Sequence, residues 1–245
     1  MDKVVYTSMG GARIALRAQG INSHNLANIN TPGFRATLTA AQPAEHEPSA
    51  ARVDVRRTAD SFDTRTGPIE TTGRELDVAV LGQGWLAVED ARGNEAYTRA
   101  GNFRLDPDGT MRTGSGDYVL DEGGARIIVP PTSSLTISAN GDISIVPAGQ
   151  GVEATARIAT IKRGNPDPLT MQRGVDGLFR LQGGAVAPAD ATVRLQSGAL
   201  EGSNVNAAEV LVKMIELSRT FDMQMRTIKS VDENSRSAQN LLSIG

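Results

Sequence analysis

Residues 203–244 read SNVNAAEVLVKMIELSRTFDMQMRTIKSVDENSRSAQNLLSI, with no glycine or proline inside and with Gly202 and Gly245 on either side. Val210, Met214, Leu217, Phe221, Gln224, Ile228, Val231, Ser235, Ala238 and Leu242 alternate in steps of four and three. That is a heptad seam, the pattern of one helix lying along another. At about 1.5 Å per residue the helix would be roughly 60 Å long. A second, partial stripe of Leu211, Ile215 and Met225 sits one position along. One partner helix cannot cover both stripes, so the sequence predicts several neighbours at once, from this chain or from copies of it.

The N-terminus carries a shorter copy of the seam in Val5, Met9, Ala12, Leu16, Gln19, Ser23 and Leu26. Here Gly10, Gly11 and Gly20 interrupt the helix, each at a cost of about 0.8–1 kcal/mol against Ala. Polar residues in both seams reduce what pairing gains, and neither segment is expected to hold its helix alone. The plainer alternative is two ordinary amphipathic helices of a globular core.

The first helix has a defined stop in NLANINTPGFRA, residues 25–36. Pro32 disfavours helical geometry at Thr31. Pro32 and Gly33 suit the central positions of a type II turn, in which glycine supplies the positive φ. Phe34 follows as an apolar anchor. Asn25, Asn28 and Thr31 are expected to satisfy backbone groups at the helix end, since short polar side chains bond readily to nearby main chain. A helical layer stops here and another kind of layer begins.

From about Asp54 to Leu200, short apolar runs alternate with turn chemistry: LDVAVL, GQG, WLAVED, ARGNE, AYTRAGNFRL and DPDG, then RIIVPP, SLTIS, ANGD and DISIVP. DPDG at 106–109 and ANGD at 139–142 read as turns between strands. The fold class expected is α+β: an all-β central domain of short antiparallel strands, flanked by N- and C-terminal helices that pair as a coiled coil. The expected boundaries are 1–33 for the N-terminal helix, 34–72 for an extended connector or hairpin, 73–202 for the β-rich domain and 203–245 for the C-terminal helix.

Composition narrows the function. The chain has 245 residues, 39% hydrophobic and 22% charged, enough for one large or two smaller domains. Aromatics are only 4%, so the core must rest on Val, Ile, Leu and Ala. A net charge of -3 without a basic stripe argues against nucleic acid and anionic membranes. The chain has no cysteine and so tolerates an oxidising compartment, but many cytosolic proteins also lack cysteine, and composition alone points to a cytosolic protein. No apolar run is long enough for a signal-peptide core or a membrane span; direct membrane insertion is not expected, and any export would bypass a cleaved N-terminal signal.

Sites for chemistry are scarce. Gly82-Gln83-Gly84-Trp85-Leu86-Ala87 matches the dinucleotide fingerprint in form, but that fingerprint requires a helix starting at the glycines. WLAVEDARG reads as a strand running into a turn, so GQG reads as a tight bend; a nucleotide-binding enzyme is the rival class. A soluble β-domain adhesin with a coiled-coil stalk is a third. Asp106-Pro107-Asp108-Gly109 lacks the glycine and glutamate that a calcium loop needs at its sixth and twelfth positions. His24 and His46 are the only histidines and offer no transition-metal set. No catalytic residues, cofactor, metal or small-molecule substrate are expected.

Three blocks resemble the flagellar rod and hook axial proteins of bacteria: NLANINTPGFR at 25–35, TTGRELDVAVLGQGWLAVED with AYTRAGNFRLDPDGTMRTGSGDYVL at 71–120, and SGALEGSNVNAAEVLVKMIELSRTFDMQMRTIKSVDENSRSAQNLL at 197–242. They cover well over half the chain in the family's order. The opening MDKVVYTSMGGA and the modest length are most similar to the proximal-rod members, with distal-rod members next. The resemblance implies a structural subunit that assembles with copies of itself and with other rod proteins into a helical drive shaft, terminal helices innermost. It also implies delivery to the periplasm by the flagellar type III export apparatus without a cleaved signal. In that reading Val5, Met9, Leu16, Leu26, Val210, Met214, Leu217, Phe221, Ile228, Val231 and Leu242 form the assembly interface. Asn25, Asn28, Thr31, Pro32, Gly33 and Phe34 form the helix-stop motif.

Overall fold

The computed structural model describes residues 2–38 and 61–243. Most of the stretch read as an extended connector, residues 39–60, lies outside the described residues. The chain forms two compact units. One is helical; the other is β-rich and comprises residues 29–36 and 62–204.

The helical unit holds α1 (Asp2–Ala27) and α2 (Ala207–Ser243). Asn206 starts α2: its side-chain oxygen accepts from the backbone N–H groups of Ala208 (3.0 Å) and Glu209 (3.2 Å), which satisfies donors that a helix start leaves unpaired. The two helices pack against each other. On α2 the less exposed positions are Val210, which is buried, and Met214, Leu217, Phe221, Gln224, Ile228 and Val231, which are half-buried. The Leu242 side chain lies outside the described residues.

On α1 the seam read from sequence needs correction. Its buried residues are Ser8, Ala12, Ala15, Ala18, Asn22 and Asn25. Met9 and Leu16 are 48% and 52% exposed, while Val5 and Leu26 are half-buried. The cause is size. A face of Ser, Gly and Ala lets α2 come close, and a Cβ added at Gly11 would lie 3.1 Å from the Gln224 side chain. Large side chains would hold the helices apart, so Met9 and Leu16 turn outward.

In the β-rich unit every strand pairing is antiparallel. The largest sheet runs, in spatial order, Met171–Arg173, Phe179–Leu181, Glu95–Thr98, Trp85–Glu89, Tyr118–Val119, Met111–Arg112 and Arg104–Leu105, with Arg163–Gly164 also paired to Trp85–Glu89. A meander of Thr132–Ile137, Asp142–Pro147 and Ala156–Thr160 forms a second sheet. Both turns read from sequence are tight: Gly109 N–H bonds the Asp106 carbonyl at 2.8 Å with φ 80°, and Gly141 N–H bonds the Ser138 carbonyl at 2.9 Å with φ 77°. Two ribbons join residues distant in sequence: Val78–Leu81 with Arg194–Ser197, and Ile69–Thr71 with Ala199–Glu201.

The core is aliphatic, built on Val80, Leu86, Ile127, Ile143, Ile161 and Leu195 among others. Four of the six aromatic rings buried among the described residues gather in a second cluster, where Trp85 and Phe179 centroids lie 4.5 Å apart and Phe62 meets Phe179 at 4.6 Å. Phe62 shows that the unit begins well before residue 73. Its core is completed by residues that sequence patterning placed in a connector.

Asp90 pins the turn after Trp85–Glu89. One oxygen accepts from the N–H groups of Arg92 (2.8 Å) and Asn94 (2.9 Å), and the other from Arg180 (2.6 Å). Burial pushes its pKa up, but the bonds from Asn94, Arg180 and Arg92 outweigh that and hold it down at about 2. A carboxylate depressed in the folded state contributes stability that is present above its unfolded pKa and lost as pH falls through the folded value. Chemical-denaturation midpoints of the β-rich unit should therefore fall between about pH 4 and pH 2, and Asp90→Asn should flatten part of that fall.

Candidate functional site

The sharpest local construction lies where residues 29–36 and 197–204 meet inside the β-rich unit. The turn comes first. Phe34 N–H bonds the Thr31 carbonyl at 3.2 Å, and Gly33 between them has φ 68°. Pro32 presets the preceding φ. A Cβ on Gly33 would lie 2.3 Å from the Arg99 carbonyl carbon, so both the backbone angle and the space require glycine. Phe34 is buried under the Arg173 guanidinium, 4.2 Å from the ring centroid.

Beyond the turn lies a buried ion cluster. The Glu201 side chain is 0% exposed, and those of Arg35 and Arg99 are each 2% exposed. One Glu201 oxygen accepts from Arg35 (2.8 Å) and from the Gly67 N–H (2.9 Å). The other accepts from Arg99 Nε at 2.6 Å and Nη2 at 2.5 Å. The Glu201 carbonyl also accepts from Gly33 N–H at 2.7 Å. A buried carboxylate is tolerated only when its lone pairs are filled in this way. Burial lowers the pKa of both arginines; for Arg35 the Arg99 charge adds to that, and Glu201 only partly opposes it, leaving Arg35 at about 10.

Asn204 closes the junction. Its side-chain oxygen accepts from Ala36 N–H at 2.7 Å, and its amide donates to the carbonyls of Asp63 (3.1 Å) and Arg65 (2.9 Å). One side chain thus ties the segment that follows α1 to the segment that precedes α2. Sequence patterning missed Arg35, Arg99, Glu201 and Asn204. The available signal was a charged or amide residue inside each quoted motif: TPGFR, TRAGN and ALEGSN.

The helix-stop residues divide their work. Asn28 donates to the His24 carbonyl at 2.9 Å. Asn25, read as serving the helix end, instead pairs with the returning chain: its amide donates to the Thr37 carbonyl and its oxygen accepts from Thr37 N–H, both at 2.9 Å. The GQG turn joins two strands, with Gly82 at φ 71° and Gly84 at φ 131°, and no helix begins at its glycines. Its carbonyls serve Arg99 instead, from Gly82 at 2.9 Å and Gly84 at 2.7 Å. Among the described residues no helix is long and apolar enough to cross a membrane.

The blocks that build the junction and the helices also carry the likeness to known proteins. Residues 5–35 match the family described as Flagella basal body rod protein, 79–145 the Flagellar hook protein FlgE/F/G D1 domain, and 196–241 the Flagellar basal body rod FlgEFG protein C-terminal. The chain is 42% identical to the flagellar basal-body rod protein FlgF of Escherichia coli and equally to that of Salmonella typhimurium, over 100% of each chain. The chain belongs to the flagellar basal-body rod protein family. Flagellar rod protein FlgG of Bacillus subtilis is also similar, at 29% identity over 98% of this chain and 99% of its own. As a member of the rod family the chain is structural, and it is not an enzyme.

The Gly33 contact is open to a direct test. Gly33→Ala should expose Arg35 to trypsin and raise the rate of cleavage after it, since such backbone strain alone costs on the order of 1–3 kcal/mol. Gly20→Ala, where an added Cβ meets nothing within 4 Å, should leave cleavage at Arg35 unchanged. Equal cleavage in the two variants would contradict the assignment.

Proposed function

We propose that the chain is a rod subunit of the FlgF, proximal-rod kind, adding to copies of itself and to other rod proteins in a helical shaft that carries torque toward the hook. The full-length likeness to FlgF proteins supports the choice of kind. The structural observation that supports assembly is an outward display of large apolar side chains on the helices. Tyr6, Met9, Ile14 and Leu16 on α1 are exposed, as are Leu211 and Ile215 on α2. Exposed large apolar side chains grouped on a helix support a docking role, and covering one such side chain is worth roughly 1.5–3 kcal/mol. The α1 and α2 stripes differ, so a copy that offers one to the other stripe of its neighbour makes a head-to-tail contact. Such contacts propagate as a filament.

In that assembly α1 and α2 pair as a coiled coil. Val5, Leu26, Val210, Met214, Leu217, Phe221, Ile228, Val231 and Leu242 serve the seam, while Met9 and Leu16 face the next copy. Torque then passes through many parallel contacts and needs no chemistry. The subunit reaches the periplasmic basal body through the flagellar export apparatus without a cleaved signal.

The test is complementation of swimming in a strain lacking the protein. The Met9→Asp, Leu16→Asp double variant should fold as the parent does, because both sites face water in the single chain. It should nevertheless be absent from purified basal bodies and fail to restore motility. Normal incorporation and swimming would overturn the interface assignment.

A further inference from the structure

The two cations of the junction are held unequally. Arg99 uses all five of its N–H donors: Nε and Nη2 on Glu201, Nη2 also on the Val80 carbonyl at 2.9 Å, and Nη1 on Gly82 and Gly84. Arg35 reaches one Glu201 oxygen and the Arg65 carbonyl, and its buried Nε has no hydrogen-bond partner among the described residues. Two guanidiniums share the Glu201 carboxylate at bonding distance, while the neighbouring buried acid, Asp63, bonds Arg65 at 2.6 Å and attracts Arg35 without a hydrogen bond to it. The unpaired buried donor works against the Arg35 side. Moving Arg35 into water leaves a neutral Arg99–Glu201 pair whose bonds are all made.

Other contacts that hold residues 29–36 are Gly33 N–H on the Glu201 carbonyl, Ala36 N–H on the Asn204 side chain, Phe34 beneath Arg173, and three backbone carbonyls that accept: Phe34 from Asn204 N–H (3.3 Å), Arg35 from Arg173 Nη1 (3.0 Å) and Ala36 from Asp63 N–H (2.8 Å). We propose that Arg35 is the tongue of a releasable latch, by which residues 29–36 leave the β-rich unit as one piece while Arg99 and Glu201 hold and the sheets stay folded. Opening lengthens the tether of α1, and closing shortens it. The inference goes beyond the rod reading and stands or falls without it.

Amide hydrogen exchange on the purified full-length chain tests this, comparing the parent with Arg35→Gln and Arg99→Gln. In the parent, Gly33 and Ala36 should exchange together, at least about tenfold faster than Ala87 and Leu120, whose N–H groups bond across strands. Arg35→Gln should speed Gly33 and Ala36 by about another tenfold or more and leave Ala87, Leu120 and Gly67 within roughly twofold of the parent. Arg99→Gln should strip protection from the strand amides as well. The latch is overturned if Arg35→Gln exposes the strand amides in step with Gly33, if it leaves Gly33 and Ala36 unchanged, or if it fails to fold. Identical patterns from the two variants would overturn it too.

Discussion

Glu201 is a carboxylate shut away from water, and the β-rich unit is organised around giving its oxygens enough donors. Arg99 comes from the end of a central strand, Arg35 from the turn that follows α1, and the Gly67 N–H from the segment leading into Ile69–Thr71. Each donor belongs to a different stretch of chain, so one buried charge holds together parts that hydrophobic burial alone would leave free to slide. Two glycines that donate to Glu201 have no room for a side chain. A Cβ at Gly67 would lie 2.2 Å from the Gly202 carbonyl oxygen, and a Cβ at Gly33 would strike the Arg99 backbone.

This arrangement suits a protein whose work is mechanical. Segments on both sides of the helical unit are gripped within the β-rich unit, by Asn204 and by the two arginines. A strain applied to either segment is met by ion pairs and backbone bonds that share one centre. The helical pair is built on different terms. Its α1 face is small and polar, and Met9 and Leu16 stand exposed on the other side of that helix.

What could be read in the sequence follows the range of the interaction. The face of α2 was legible because a heptad is a local spacing, and the turn at Thr31–Phe34 because Pro-Gly chemistry is contained within four residues. The face of α1 was misjudged because apolar spacing favours the largest residues, whereas close packing selected Ala12, Ala15 and Ala18. The cluster of Arg35, Arg99 and Glu201 was not legible from patterning: the three charges lie far apart in sequence, in a turn motif and in strand-like motifs, and their meeting depends on pairings such as Ala199–Glu201 with Ile69–Thr71. The rod-family resemblance named the motifs that contain these residues, but the chemistry joining them required their positions in space.

Glu201 and Arg99 act as one buried unit on which the β-rich fold depends. A double-mutant cycle of Arg99→Gln, Glu201→Gln and both together, read by denaturant unfolding of the full chain, measures this most directly. Each single change should cost about 3–5 kcal/mol because it strands a buried charge, and the double change should cost clearly less than the two summed. Single costs that simply add, or that fall below about 1 kcal/mol as for an exposed pair, would contradict the account.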